Sequence, residues 1–196
     1  MNDVPAPSTG QPRSDCQDLS IANPIPSGWA PSLTFRPMTL DDLDRVHAID
    51  ILSFNLPWPV KSFRFELTEN PTSLALVAEI EGSDGKRSVI GMSVVWILVD
   101  EAHIATIAIH PDCRGHGIGK KLLAETLCQA IQRGVTSATL EVRSSNFLAQ
   151  DMYRKFRFTI VGRRPHYYHD NNEDAVLMTV NKLGSEYLTW LKKFGV

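Results

Sequence analysis

The stretch IATIAIHPDCRGHGIGKKLL, residues 104–123, indicates how this chain folds. It starts with the apolar run Ile107-Ala108-Ile109, which is typical of a strand inside a sheet, and His110-Pro-Asp112 interrupts that run. The segment from Arg114 to Lys120 then opens an amphipathic helix. The sequence therefore predicts a buried strand, a glycine-rich turn and a helix in direct succession.

A turn of this composition is suited to binding phosphate. Gly115, Gly117 and Gly119 carry no side chain, so their N–H groups can point into one concavity at the positive end of the helix dipole. Arg114 and Lys120 add positive charge beside it. The spacing differs from the G-x-G-x-x-G dinucleotide fingerprint, and the G-K-[ST] ending of a P-loop is missing. A tight strand-to-helix turn without a ligand remains the alternative.

The strand that precedes the turn changes its phase. Ile104 occupies an even position, whereas Ile107 and Ile109 occupy odd ones, so the three cannot share one face of a regular strand. We therefore expect a bulge near Ala105-Thr106.

The flanking segments alternate between helical and strand patterns. Thr39 and Asp42 predict a capped helix start, and prolines in Phe54–Pro59 separate two helices. The remaining expected elements are a strand at 33–36, a helix at 61–68, a hairpin of 73–81 and 88–99, a helix from Ile118, a strand at 138–142, a helix with Leu148, Met152 and Phe156 in one stripe, and strands at 159–163 and 175–180.

Composition limits the class of protein. The chain has 196 residues, a length that suits one domain, and a net charge of −2, which gives no reason to expect nucleic-acid binding. Its three cysteines have no C-x-x-C spacing, which fits a reducing compartment. There is no secretory signal and no run of membrane-spanning length. We expect a cytoplasmic protein without a membrane partner.

The domain organisation follows from the same patterns. Residues 1–30 are rich in Pro and Ser and predict a disordered extension. Residues 31–182 form the predicted domain. Residues 183–196 predict an amphipathic tail, which we expect to pack on its own domain, with a partner or self-association surface as the alternative.

Several motifs carry a resemblance to a known family. R-G-H-G-I-G at 114–119 resembles the (Q/R)-x-x-G-x-(G/A) acetyl-CoA pyrophosphate loop of the GNAT acetyltransferases. L-E-V-R-S-S-N at 140–146, M-Y-R-K-F at 152–156 and R-R-P-H-Y-Y at 163–168 look like the ribosomal-protein-alanine N-acetyltransferases, the RimI type. The resemblance implies a single-domain α/β GNAT acyl-CoA N-acyltransferase fold, with a mixed sheet whose central strands are splayed, and acetyl-CoA as the cosubstrate.

The resemblance also implies the site residues. Glu141 would be the general base and Tyr153 the general acid. The implied acceptor contacts are Leu56, Trp58, Tyr167 and Tyr168. The implied coenzyme contacts are Ile107, Ala108, Ile109, Arg114, Gly115, His116, Gly117, Ile118, Gly119, Lys120 and Asn146.

Each of these residues has a plain structural alternative. Glu141 could form an ion pair with Arg143, Tyr153 could be an ordinary half-buried residue, and Asn146 could only cap a helix. Asp100, Glu101 and His103 could receive a basic residue of an incoming peptide or could lie in solvent.

Two further local features concern the turn and the end of the helix that carries Tyr153. His110-x-x-Cys113-x-x-His116 has ligand-like spacing, but it falls inside the phosphate turn, so we expect no metal. Arg157 stands where the family usually has glycine, at a predicted left-handed helix end, where a β-carbon costs about 1 kcal/mol.

The implied function is transfer of an acetyl group from acetyl-CoA to the α-amine of a protein N-terminus, by direct attack in a ternary complex. A ribosomal small-subunit protein is the partner that the family implies. A small amine or amino acid as acceptor, and a non-catalytic acetyl-CoA-binding module, are the two alternatives. The oligomeric state does not follow from the sequence.

Overall fold

The computed structural model of the protein describes residues 33–82 and 85–195. The predicted extension 1–30 lies outside the described residues. The strands are β1 Thr34–Pro37, β2 Ser73–Glu81, β3 Arg87–Leu98, β4 Glu101–Ile109, β5 Ser137–Arg143, β6 Thr159–Tyr168 and β7 Glu173–Asn181. The α-helices are α1 Leu43–Ser53, α2 Val60–Thr68, α3 Ile118–Gln132, α4 Phe147–Lys155 and α5 Ser185–Leu191. Within the described residues no helix is long and apolar enough to cross a bilayer.

The strands form one sheet of seven in the order β1-β2-β3-β4-β5-β7-β6. Neighbouring strands are antiparallel except β4 and β5, which are parallel. The β4–β5 pairing covers only residues 101–103 against 137–139 and ends at the pair His103 and Thr139. Beyond that pair the two strands separate, which confirms the splayed mixed sheet of the predicted GNAT fold.

The predicted bulge in β4 is present. Val94 of β3 pairs with Thr106 and Val95 pairs with Ile104, so Ala105 is the extra residue. Because the bulge shifts the side-chain alternation by one position, Ile104 and Ile109 both belong to the same buried cluster. The change of apolar phase in the sequence therefore located the bulge correctly.

Helices cover both faces of the sheet, and alternate strand residues enter two separate apolar clusters. Leu76 of β2 packs with the α3 residues Leu122 and Leu127 on one face. The next residue, Val77, packs with Val46 of α1 on the other face. This alternation is the usual consequence of a strand buried on both sides.

Specific hydrogen bonds fix the start of the first helical segment and the C-terminal tail. The Asp42 carboxylate accepts the backbone N–H of Thr39 at 2.8 Å, which confirms the predicted capping pair, and it also pairs with Arg36 at 2.7 Å. In the tail, the hydroxyl of Tyr187 donates to the carbonyl of Phe156 at 2.7 Å, and Tyr187 is buried. The tail helix therefore packs against the end of α4.

Two expectations about local structure were wrong. Leu148 was expected in the buried stripe of α4 but is 84% exposed, because the helix turns Gln150 and Tyr153 inward instead. Strands β6 and β7 are longer than the ranges 159–163 and 175–180 that the sequence predicts, so Tyr167 and Tyr168, which lie outside those ranges, belong to the end of β6. The pairing register shifts between Arg164 and Tyr168. The side chains there do not alternate with a period of two residues, so the sequence pattern did not predict the longer strand.

Candidate active site

The glycine-rich turn joins β4 to α3. Gly115 and Gly117 have φ angles of +84° and +79°, in the left-handed region, and a β-carbon built on either would meet no atom within 4 Å. The first backbone hydrogen bonds of α3 run from Lys120 and Lys121 to the carbonyl of Gly117, at 3.1 and 3.2 Å. The amides at the start of the helix thus precede its hydrogen-bonded ladder and point along the positive end of the dipole. The geometry suits an anionic group such as a diphosphate.

The side chains of the turn differ in their contacts and in their exposure to solvent. Nε of Arg114 donates to the carbonyl of Ile109 at 2.9 Å, and Nη2 donates to the hydroxyl of Ser53 at 2.9 Å. The guanidinium therefore braces the turn against β4 and α1. His116 is exposed, with Nδ1 2.9 Å from the carbonyl of Arg114, and Lys120 is half-buried.

The open fork between β4 and β5 lies beside this turn. Residues 107–109 of β4 pair with β3 and not with β5. Ala108 and Ile109 send their side chains into the two opposite apolar clusters, and Ile107 packs at the edge of one of them. The side chains at these positions are thus used for packing, whereas backbone groups of β4 along the fork are available to a ligand that adds to the strand.

Glu141 lies on the arm of β5 that has left β4. Its side chain is only 6% exposed. Oε2 lies 3.3 Å from Nε2 of His103, and Oε1 lies 3.1 Å from Nη2 of Arg164. The alternative pairing with Arg143 was wrong, because that guanidinium instead contacts Asp170 at 2.8 Å and Glu173 at 3.2 Å.

Tyr153 lies in α4 and is buried against the apolar core. Its ring is tilted against Phe158, with centroids 5.7 Å apart. Burial raises the pKa of Tyr153 above the ordinary value of 10. The phenol is therefore protonated at neutral pH, the state that a general acid requires. Tyr168 interacts electrostatically with both Tyr153 and Glu141, so the three side chains share one region.

Asn146 begins α4. Its Oδ1 accepts the backbone N–H of Ala149 at 3.1 Å, as expected of a helix cap. The residue is exposed, so a further contact with a coenzyme is compatible with the cap.

One wall of the fork is the segment between α1 and α2. Leu56 is 55% exposed. Trp58 stacks on Trp96 with centroids 6.4 Å apart at 17°, and Trp96 stacks on His103 at 5.3 Å and 12°. A continuous aromatic stack therefore leads from Trp58 to the imidazole that contacts Glu141.

The end of β6 provides the opposite wall. The rings of Tyr167 and Tyr168 meet edge to face at 5.2 Å, and the Arg143 guanidinium lies 4.0 Å from the centre of the Tyr168 ring. Burial raises the pKa of Tyr168 to about 12. Nδ2 of Asn55 donates to Asp170 at 3.0 Å, so the two walls touch each other at this point.

The metal-like spacing does not bring its members together. His110 and Cys113 are buried and His116 is exposed. Burial raises the pKa of the Cys113 thiol to about 11, which keeps it protonated and a poor ligand. In the described part of the chain no group of three or more His, Cys, Asp or Glu side chains could hold a metal ion.

Sequence reasoning missed the contacts of three residues. His103 was considered as a contact for a basic peptide residue, whereas it pairs with Glu141, and Arg164 was not connected to that carboxylate. Asp50, fully buried in α1, was not singled out. Parallel pairing of β4 with β5 puts His103 next to Thr139, two residues before Glu141. The contact between His103 and Glu141 could therefore have been predicted only with the register of these two strands known.

The comparisons with known proteins agree with this geometry. Residues 43–158 match the model of the acetyltransferase (GNAT) family. A protein of Bacillus subtilis named as a candidate [ribosomal protein bS18]-alanine N-acetyltransferase is 40% identical over 145 residues, covering 74% of this chain and 93% of its own length. The [ribosomal protein bS18]-alanine N-acetyltransferase of Escherichia coli strain K12 is 29% identical over 149 residues, covering 75% and 96%.

A solved structure shows the same fold. The crystal structure of the ribosomal-protein-S18-alanine N-acetyltransferase from Escherichia coli superposes with a TM-score of 0.67 at 28% identity, covering 76% of this chain and 94% of that chain. Both the fold and the activity implied by the sequence motifs are confirmed, and the alternative of a non-catalytic module is set aside. The chain belongs to the acetyltransferase (GNAT) family, and it is an acetyl-CoA-dependent N-acetyltransferase.

Proposed function

We propose that this enzyme acetylates the amino-terminal alanine of ribosomal protein bS18, by direct transfer in a ternary complex. The observation that carries the proposal is the position of Glu141, a buried carboxylate on the unpaired arm of β5, at the fork that the glycine-rich turn borders. The names of the Bacillus subtilis and Escherichia coli relatives support the choice of acceptor.

The residues present fit acetyl-CoA. The turn with Gly115 and Gly117 offers a concave, Cβ-free surface at a helix N-terminus, which suits the diphosphate, and the unpaired edge of residues 107–109 suits the amides of the pantetheine arm. Lys120 lies in the first turn of α3, and Asn146 caps the first turn of α4; both would add polar contacts. When bound, the coenzyme supplies a thioester carbonyl as the electrophile.

The proposed reaction needs one proton transfer to this chain and one proton transfer from it. The acceptor's nitrogen forms a bond to the acetyl carbon as the carbon–sulfur bond breaks, so the nitrogen loses a proton and the sulfur gains one. Glu141 takes the proton from nitrogen. Tyr153, protonated because burial raises its pKa, gives a proton to sulfur. A peptide α-amine has a pKa of about 7.7–8.0, so a fraction of it is already neutral near neutral pH, and Glu141 takes only the proton that this neutral nitrogen loses as the amide forms.

Backbone amides of β4 complete the proposed chemistry. The negative charge that develops on the carbonyl oxygen needs a preorganised donor. His110 donates its N–H to the carbonyl of Ile90 in β3. Successive amides of a strand point to opposite edges, so the amides of Ile107 and Ile109 face the unpaired side of β4. The buried side chains of Ala108 and Ile109 fix this part of the strand. These amides can donate without reorganisation.

The acceptor peptide is proposed to lie between the two walls. Leu56 and Trp58 form one side, and Tyr167 and Tyr168 the other, with two rigid amphipathic rings that suit a peptide backbone. The hydrogen bond between Asn55 and Asp170 lies at the surface, so the walls can part at little cost.

A direct assay tests the proposal. The full chain is incubated with acetyl-CoA and a peptide that copies the bS18 amino terminus, and both free thiol and the mass of the peptide are followed. The matched controls are the same peptide with a blocked α-amine and the same peptide with a bulky first residue. Turnover of the free alanine peptide alone supports the proposal. Release of thiol with a polyamine or an amino acid, but not with any peptide, refutes it in favour of a small-amine acceptor.

A further inference from the structure

The partners of the two Glu141 oxygens differ in how exposed their side chains are to solvent. Oε2 lies 3.3 Å from Nε2 of His103, whose side chain is 21% exposed, and Oε1 lies 3.1 Å from Nη2 of Arg164, whose side chain is 55% exposed. The carboxylate itself is almost completely buried. One partner is therefore enclosed in the protein, and the other can move into solvent.

The imidazole of His103 is held by its surroundings. Its ring lies nearly parallel to that of Trp96, with centroids 5.3 Å apart at 12°, and Trp58 stacks on the far side of Trp96. Nε1 of Trp96 donates to the buried carboxylate of Glu66 at 3.0 Å, which fixes the indole in its plane. The ring of His103 consequently has little freedom to rotate away from Glu141.

The backbone of His103 is fixed as well. It pairs with Trp96 on β3 and with Thr139 on β5, and the second pair is where contact between β4 and β5 ends. Glu141 follows Thr139 by two positions, on the same side of β5. His103 thus lies at the point where β4 and β5 separate. Its side chain contacts Glu141, the first carboxylate on β5 beyond that point.

Arg164 has no comparable support. It lies where the pairing of β6 with β7 becomes irregular, and the other contact of its guanidinium is a ring 5.7 Å away, that of the exposed Tyr167. An ion pair with a partner that is more than half exposed contributes little net stability. The neutral amine of an acceptor is also a hydrogen-bond donor, so it can take the place of Arg164 at Oε1.

We propose that His103 is the positioning residue of Glu141: it fixes Oε2, so that Oε1, which Arg164 vacates for the acceptor, is the atom that takes the proton from the amine. The inference rests on the proposed role of Glu141 as the base. The amine nitrogen loses its proton to Oε1 as it bonds to the acetyl carbon, and the proton remains on the carboxylate until the product leaves. His103 does not touch the acceptor.

Two substitutions separate the parts of this role. His103→Phe keeps the stack on Trp96 but removes Nε2. His103→Gln removes the ring but can place an amide donor near Oε2. We expect His103→Phe to lower kcat by about 10- to 100-fold, the cost of a misplaced catalytic group, with the KM for the acceptor and the affinity for acetyl-CoA changed less than about twofold. His103→Gln should recover a substantial part of kcat.

The pH profile supplies a readout that a merely structural role would not change. The charged and titratable groups that face Glu141 are His103 from β4 and Arg164 and Tyr168 from β6. In His103→Phe the dependence of kcat on pH should differ from that of the unmodified enzyme, because the variant lacks the imidazole that contacts the catalytic carboxylate. Arg164→Ala tests the displaced partner: it should lose less kcat than His103→Phe and should not raise the acceptor KM, because the guanidinium leaves Oε1 before the amine arrives.

The outcomes distinguish this inference from the proposed function. All variants are first checked by thermal unfolding and by acetyl-CoA binding, and all are assayed with whichever amine the unmodified enzyme accepts. If that amine is not a peptide, the proposed acceptor fails but the His103 comparison still stands. A His103→Phe enzyme with unchanged kcat and pH profile overturns the inference, as does an Arg164→Ala enzyme that loses as much kcat as His103→Phe.

Discussion

The carboxylate of Asp50 accepts the backbone N–H of Trp58 at 2.6 Å, and this bond ties the middle of α1 to the wall that leads into α2. Asp50 is fully buried, and its other oxygen has no hydrogen-bond partner. Burial raises the pKa of Asp50 to about 6, although the bond from Trp58 opposes the shift. The carboxylate thus holds the acceptor wall to α1, at a cost to folding once it ionises.

Replacing Asp50 by Asn should change how stability depends on pH. A raised folded-state pKa means that the native protein binds the proton more tightly than the unfolded chain, so stability falls as pH rises from about 4 to about 6 and is level above that. A shift of about 2 units corresponds to roughly 3 kcal/mol. We expect Asp50→Asn, which keeps an acceptor for Trp58, to lack this fall. Urea unfolding from pH 4 to 7 measures it, and parallel curves for the two proteins would rule out the idea.

Replacing Gly117 by Ala should weaken coenzyme binding. The left-handed φ of +79° costs a residue with a β-carbon about 1 kcal/mol, and the new methyl group enters the concavity that we assign to the diphosphate. Loss of a hydrogen bond to a charged group raises the Kd for acetyl-CoA about 10- to 100-fold. Calorimetry with acetyl-CoA gives the Kd directly.

Gly134 provides the matched control for that substitution. It also has a left-handed φ, +93°, and a β-carbon there would likewise meet no atom within 4 Å, but it follows the C-terminal end of α3. Gly134→Ala should cost about the same stability and leave the Kd unchanged. Equal effects of both substitutions on the Kd would argue against the turn as the diphosphate site.

Replacing Tyr153 by Phe should remove the acid and little else. The loss of a general acid lowers kcat by about 100-fold or more, with acetyl-CoA binding retained. Because burial raises the pKa of Tyr153 above 10, ionisation of this phenol should cause no loss of activity at any pH up to about 10. Stopped-time assays across that range test both statements.

Tyr187 is the control for a buried phenol outside the fork. Its hydroxyl donates to the carbonyl of Phe156 at 2.7 Å. Tyr187→Phe should lower the free energy of unfolding by about 1 kcal/mol and leave kcat unchanged. A comparable loss of kcat in both variants would show that Tyr153 acts through folding rather than through its proton.

The sequence predicted those features that arise from local patterns. The phase change between Ile104 and Ile107 located the bulge at Ala105, because alternation is a property of one strand. The partners of Glu141 could not be predicted in the same way, since they come from two other strands and depend on register across the sheet. The extension of β6 to Tyr168 was not predicted for a related reason: its irregular pairing with β7 breaks the period-two pattern. The roles of the individual site residues stay predictions.

The backbone at Arg157 is the clearest case of a local prediction that the structure confirms. Its φ is +64°, in the left-handed region that the sequence predicts at this helix end. The guanidinium lies 4.7 Å from the centre of the Trp190 ring, a cation–π contact that offsets part of the strain. The residue therefore combines an unfavourable backbone with a favourable side chain.

Comparing Arg157→Gly with Arg157→Ala separates the two effects, because both remove the contact with Trp190 and only one keeps the β-carbon. We expect the Gly variant to be the more stable by about 1 kcal/mol in urea unfolding. At Arg154, an exposed residue inside α4, the same pair of substitutions should give the opposite order by a similar amount, since glycine is the poorer helix former. If alanine is also the more stable at position 157, the left-handed backbone there costs nothing and the strain argument fails.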